Sequence, residues 1–134
     1  AEQLGIKPLM KLIDTCSAGV HPTVMGLGPA VAIPKCLKQA DMKFEDVEYW
    51  EINEAFASQA IYCLRKLELE KAYLDNRVNP NVGAFALWHP LGATGARLAS
   101  TLMHGLGRPD GGELGIVSMC VGTGMGMAGL FVRE

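Results

Sequence analysis

The chain has 134 residues, a formal net charge of −2 and a pI near 5.9, which leaves no basic footprint for nucleic acid or an anionic membrane surface. That length makes one domain, enough for a real core but short for an enzyme with its own two-sided cleft. Hydrophobic residues at 49% and 16 glycines imply surplus apolar surface of the kind buried at a partner interface.

Lys11 to Ala18 alternates loosely, with Leu12, Ile13, Cys16 and Ala18 as its apolar positions, and predicts a first strand. Gly19 to Gly28 is an ordered loop marked by His21-Pro22 and Gly26-Leu27-Gly28. Pro29 suits a first helical position and opens a helix through Val31, Ile33, Leu37 and Ala40, with a bend expected at Pro34. Val47 to Ile52 reads as a second strand. Asn53-Glu54-Ala55-Phe56-Ala57 follows at once, and Phe56, Ala60, Cys63, Leu64 and Leu67 then share one helix face.

Glu68 to Val78 reads as a charged surface connection, and Asn79 to Leu87 as a third strand leading into His89-Pro90-Leu91-Gly92. Thr94 to Leu106 is a helix apolar nearly all round, with Arg97 its only formal charge, and so expected to be enclosed on several sides. After the turn cluster Gly107 to Gly112, two apolar runs, Leu114 to Val117 and Met127 to Val132, flank Cys120-Val121-Gly122-Thr123-Gly124-Met125-Gly126 as a hairpin. The order β-α-β-α-β-α-β-β describes an α/β domain with helices on both faces of a mixed sheet, spanning residues 1–134.

Three reactive side chains follow strands: Asn53, His89 and Cys120. Each has a plain alternative, as a helix cap, a loop histidine satisfied by backbone, and a small core residue. Together they place an amide, an imidazole and a thiol at one sheet edge, where α/β folds bind ligands. A histidine and a thiol within reach exchange protons, and N–H groups at a glycine turn hold a developing oxyanion.

Asn53-Glu54-Ala55-Phe56-Ala57, His89-Pro90-Leu91-Gly92 with Gly95-Ala96-Arg97, and Cys120-x-Gly122-x-Gly124-Met125-Gly126 stand in the order and spacing of the thiolase C-terminal half. The segment Gly19-Val20-x-Pro22 to Met25-Gly26-x-Gly28-Pro29 is similar to that family's entry loop. Glu51 to Ala60 and Thr123 most resemble the degradative, peroxisomal-type 3-ketoacyl-CoA branch.

The resemblance implies thiolytic cleavage of a 3-ketoacyl-CoA by coenzyme A, giving a shortened acyl-CoA and acetyl-CoA, with coenzyme A as co-substrate and no cofactor or metal. It implies that His89 activates a nucleophilic thiol and lends its ring to an oxyanion hole with a water held by Asn53. Cys120 becomes the acid/base thiol, the Gly122 N–H part of a second oxyanion hole, and Phe56 and Met25 the acyl-pocket lining. The family's nucleophilic cysteine belongs to an N-terminal half that this sequence does not contain. None of Cys16, Cys36 or Cys63 sits in its motif. The chain alone is therefore expected to be inactive.

Family proteins are dimers or tetramers, so a homo-oligomer is expected. Val82 and Trp88 stand where the family normally has glycine, and an indole beside His89 is expected to narrow the pocket or shift the imidazole. This motivates the alternative of a noncatalytic assembly or acyl-CoA-binding subunit.

Four scattered cysteines without a C-x-x-C pair read as a reducing compartment without structural zinc. No apolar run reaches the roughly 18 residues of a membrane span. The start at Ala1 reads as a processed or truncated chain whose address lies out of view. The compartment rests on resemblance: peroxisomal, with mitochondrial or cytoplasmic as alternatives.

Overall fold

A computed structural model describes residues 1–134. Its centre is a four-stranded sheet in the order β1-β4-β3-β2, built from β1 (Met10–Gly19), β2 (Tyr49–Ile52), β3 (Leu114–Val121) and β4 (Met125–Arg133). β2 and β3 run parallel and the other pairs antiparallel, so the sheet is mixed as the sequence predicts. Five helices accompany it: α1 (Gly28–Gln39), α2 (Ala57–Lys66), α3 (Glu70–Leu74), α4 (Ala84–Leu87) and α5 (Thr94–Leu106).

Side-chain alternation in the strands divides the core in two. Trp50, Ile52, Ile116 and Leu130 face α1, where Ile33, Cys36 and Leu37 complete the larger cluster. Tyr49 and Val117 face the other way, against Leu98, Leu102 and Leu106 of α5. Helices thus cover both faces. α1 approaches the sheet closely enough that a Cβ on Gly28 would lie 2.6 Å from the Met125 carbonyl oxygen, and one on Gly126 would fall inside the Gly28 backbone. Pro34 sits within α1 without ending it.

The third predicted strand is absent. Asn79 and Val82 have φ of 47° and 62°, outside any extended conformation, and the segment ends in the short helix α4. Only Val78 bridges to Trp50. Beyond that bridge the Asn79 side chain replaces a strand neighbour: its Nδ2 donates to the Ile52 carbonyl at 2.8 Å and its Oδ1 accepts from the Ile52 N–H at 2.8 Å. A side chain thus satisfies the backbone groups at the end of β2.

Two further expectations change. The connection from Glu68 to Val78 contains α3, whose Ala72 is buried with Leu69 and Val78 beside it. α5 is enclosed on one face only, since Gly95, Ala96, Ser100 and His104 remain exposed. Its small residues point outward in this chain, and an apolar hollow of about 190 Å³ runs beside them between Leu98, Ala99, Met119, Met127 and Phe131.

Candidate active site

Asn53 leaves the end of β2 fully buried, on the same side of the strand as Tyr49 and Glu51. Its N–H donates to Ser118 O at 2.9 Å, extending the parallel ladder by one bond. Its carbonyl accepts from Gln59 Nε2 at 3.3 Å. Gln59 is buried in the first turn of α2, and its Oε1 also accepts from the N–H groups of Ala55 at 3.1 Å and Phe56 at 3.3 Å. A glutamine at the third helical position that reaches back over the helix start is half of a capping box. The cap position therefore belongs to Phe56, and Asn53 is released from the capping role its sequence position allowed.

His89 lies between α4 and α5. Thr94 Oγ1 donates to Pro90 O at 3.0 Å, so its single proton is committed and it must accept from His89 Nδ1, 2.6 Å away. The tautomer is thereby assigned: Nδ1 carries the hydrogen and Nε2 the lone pair. Asn53 Nδ2 stands 3.3 Å from Nε2 and donates to it. The same bond orients the Asn53 amide and leaves its buried Oδ1 without a protein partner.

A second link ties the two corners. Glu54 Oε1 accepts from Asn79 Nδ2 at 3.0 Å, and its Oε2 from the Phe85 N–H at 3.4 Å, at the start of α4. The carboxylate lies against Gly83, where any Cβ would collide with it.

Trp88 adopts φ 70°, ψ 168°, a region that is essentially glycine-only, and its indole is 82% exposed. Val82, at φ 62°, is similarly strained. The His89 ring bonds Thr94 and Asn53 while the indole lies exposed.

Cys120 lies next to the end of β3, paired with Gly126 across the hairpin. Burial pushes its thiol up from the ordinary value, so it keeps its proton at neutral pH. The structure brings Asn53 and His89 into contact. It sets Cys120 at the same edge, with no hydrogen bond from the thiol to either.

The glycines after Cys120 serve different ends. Gly124 has φ 96° and passes against the backbone of Val20 and Pro22, and Gly126 packs on Gly28. Gly122 borders open space, and its N–H enters none of the turn's backbone hydrogen bonds. Gly122, with no close neighbour over it, leaves its N–H open to a ligand.

Met25 and Phe56 line one hollow of about 430 Å³ with Leu27 and Tyr62. No group of three or more His, Cys, Asp or Glu side chains is placed to hold a metal ion. All four cysteines are free, and no helix is long and apolar enough to cross a membrane.

Thr94 and Gln59 carry the site's geometry and were not singled out from the sequence. A threonine at the helix start five positions after the histidine was the available signal for the first. A buried glutamine in an exposed-looking first turn gave none.

The family described as thiolase, C-terminal domain, matches residues 6–133. The peroxisomal 3-ketoacyl-CoA thiolase of Saccharomyces cerevisiae is 48% identical over 134 residues, covering all of this chain and 30% of that protein. The human peroxisomal 3-ketoacyl-CoA thiolase is 51% identical over 131 residues, covering 98% and 30%.

In the crystal the yeast protein is five-layered, constructed from two core domains of identical topology. This chain superposes on it with a TM-score of 0.90 at 47% identity, over 99% of this chain and 37% of that one. A second structure of the yeast thiolase, a dimer, gives 0.89 at 47% identity over 99% and 32%. The human mitochondrial 3-ketoacyl-CoA thiolase gives 0.92 at 36% identity over 99% and 32%. The chain thus spans about a third of the length of the proteins it matches. With the family's match running over nearly every residue and the same fold recovered by superposition, the chain belongs to the thiolase C-terminal domain family.

Proposed function

We propose that this chain supplies the proton-transfer half of a 3-ketoacyl-CoA thiolase active site, the acyl-accepting cysteine coming from an N-terminal half. The observation that carries the reading is the Asn53–His89–Thr94 arrangement, an imidazole held at both ring nitrogens, with Nδ1 donating to Thr94 and Nε2 accepting from Asn53. Nε2 gives up its hydrogen bond from the Asn53 amide and takes the proton of the partner thiol. The thiolate attacks the 3-keto carbon, and the C2–C3 bond breaks with its electron pair on the acetyl-CoA carbon.

Cys120 then donates its proton to that carbon, a task suited to a thiol that burial keeps protonated. Coenzyme A thiol gives its proton to the Cys120 thiolate and attacks the enzyme thioester, and the displaced enzyme thiolate recovers its proton from His89. The Asn53 amide and the His89 ring bound one oxyanion position through the water the family implies, and the Gly122 N–H serves the other. Met25 and Phe56 line the acyl path, their shared hollow being the support for it.

The outer side of α5 and its apolar hollow suit the second core domain of identical topology that the yeast protein contains. Exposed Leu12, Phe85, Trp88 and Leu91 support burial in an assembly, in keeping with the dimeric yeast thiolase. Coenzyme A enters as co-substrate, with no resident cofactor. A peroxisomal location follows the yeast and human relatives, while the mitochondrial relative keeps a second compartment in play.

The test is acetyl-CoA release from acetoacetyl-CoA and longer 3-ketoacyl-CoA by the full-length protein that carries this chain. Cys120→Ala and His89→Ala are expected to lower kcat by at least about 100-fold each. Full activity in either variant refutes the assignment. An inactive parent that still binds acyl-CoA, with turnover restored by Trp88→Gly, favours the noncatalytic alternative, to which the strain at Trp88 points.

A further inference from the structure

β2 meets α5 and its entry loop through three successive contacts on one side of the strand. The Tyr49 ring fills the space a Cβ on Gly105 would need, Glu51 Oε2 accepts from Arg97 Nη1 at 3.2 Å, and Asn53 meets His89 at 3.3 Å. The strand and the helix therefore run antiparallel along a shared seam, with the ion pair as its middle contact. Glu51 is wholly enclosed and the Arg97 side chain is 23% exposed.

This pair is poorly built for stability alone. It is held by one hydrogen bond, and Glu51 Oε1 and Arg97 Nη2 are both buried without partners. Desolvating two charges in imperfect geometry offsets much of their attraction, and well-packed apolar residues of similar volume hold elements together at least as well. What an apolar contact lacks is direction. A charge-assisted hydrogen bond fixes where one element sits along and around another.

The place of the pair gives that direction a consequence. Glu51 lies one same-side step before Asn53, and Arg97 lies one helical turn after Thr94, whose hydroxyl holds the His89 ring. Any slide of α5 along β2 would move Thr94 and the imidazole together while Asn53 stayed with the sheet.

We infer that Glu51 and Arg97 are a positioning pair that sets the register of α5 against β2 and with it the distance between the Asn53 amide and His89 Nε2. Neither side chain touches substrate. The inference rests on the thiolase reading of the site.

The experiment uses the full-length protein, with Glu51→Leu and Arg97→Met combined so that no buried charge is left alone. The thermal midpoint is expected to hold, KM for acetoacetyl-CoA to stay within about twofold, and kcat to fall on the order of 100-fold, the usual loss for a misplacement of about 1 Å. A folded double variant with parental kcat overturns the inference and leaves the thiolase reading intact. Should the double variant not fold, near-isosteric Glu51→Gln decides: a tenfold or so loss of kcat at unchanged KM supports the positioning role, and unchanged kcat overturns it. A parent protein without acetyl-CoA release defeats the thiolase reading itself, and this inference with it.

Discussion

His89 Nδ1 donates to Thr94 Oγ1 across 2.6 Å, and that bond decides which ring nitrogen is left to act as a base. Thr94 is almost completely buried, so no solvent competes for its hydroxyl. The hydroxyl's own proton is committed to Pro90 O, which makes the arrangement one-directional.

Thr94→Val keeps the shape of the side chain and removes the acceptor. Free to adopt either tautomer and to rotate, the imidazole loses its fixed Nε2 lone pair, and kcat is expected to drop by about 100-fold, at the lower end of what general-base catalysis supplies. Thr94→Ser restores the hydroxyl and is expected to recover most of the rate. Steady-state kinetics on the two variants, with circular dichroism as a control on folding, check this. Equal losses in both would remove the hydroxyl from the explanation.

Glu51 gives a pH signature. Burial is the main cause that raises its pKa from 4.5 to about 7, opposed by Arg97 and assisted by the nearby Glu54. Burial, and after it the Glu51 charge, pushes the Tyr49 hydroxyl on the same side of the strand up to about 12. The folded state therefore binds a proton that the unfolded state releases between pH 4.5 and 7, so this residue makes stability fall as pH rises through that window and level off above it. The drop across the whole window amounts to about 3 kcal/mol, since a tenfold change in proton affinity is worth about 1.4 kcal/mol. Glu51→Gln is expected to abolish it, and denaturant unfolding of the full-length protein at pH 5, 6, 7 and 8 is the measurement. Parallel pH dependence in parent and variant would contradict the assignment.

Trp88 and Val82 hold backbone conformations that glycine adopts freely. Each costs about 1–3 kcal/mol in the native state, while glycine adds back about 0.5–1 kcal/mol of chain entropy. Trp88→Gly is therefore expected to stabilise the protein by about 1 kcal/mol, and Val82→Gly by a similar amount. A lowered thermal midpoint in both variants would show that the side chains contribute more by packing than they cost by strain.

Gly126 and Gly122 separate structure from chemistry within one turn. Gly126→Ala pushes a methyl group into the Gly28 backbone, and a loss of at least about 2 kcal/mol is expected, since overpacking at a backbone contact has no flexible neighbour to give way. Gly122→Ala meets open space and is expected to leave stability within about 0.5 kcal/mol. Chemical denaturation of the two variants side by side distinguishes them; comparable losses would mean that the turn responds as a unit.

The corners that carry Asn53, His89 and Cys120 were legible because local chemistry marks them. Short apolar runs end at each, and Pro90, Gly92 and the glycines after Cys120 punctuate the chain where it must turn. Helix α5 was legible to the residue, from Thr94 to Leu106, since its apolar spacing and the Gly107 to Gly112 cluster are both local signals. The apparent strand from Asn79 to Leu87 was misleading. Its apolar residues satisfy a strand pattern, yet Phe85 and Leu87 lie exposed, and the end of β2 is bonded by the Asn79 side chain.

The sequence by itself determined the class of the fold, the three polar groups at one sheet edge and the family whose motifs they resemble. It did so because turn chemistry, periodicity and motif spacing are properties of neighbouring residues. Only the tertiary structure decided that Asn53 reaches His89, that Thr94 selects the tautomer, that Gly124 and Gly126 serve packing while Gly122 faces outward, and that Glu51 is buried against Arg97. Those partners come from separate elements, 46 positions apart in the case of the ion pair. Their meeting depends on how α5 packs across β2, and long-range packing of that kind leaves no mark on the residues that surround either partner in the chain.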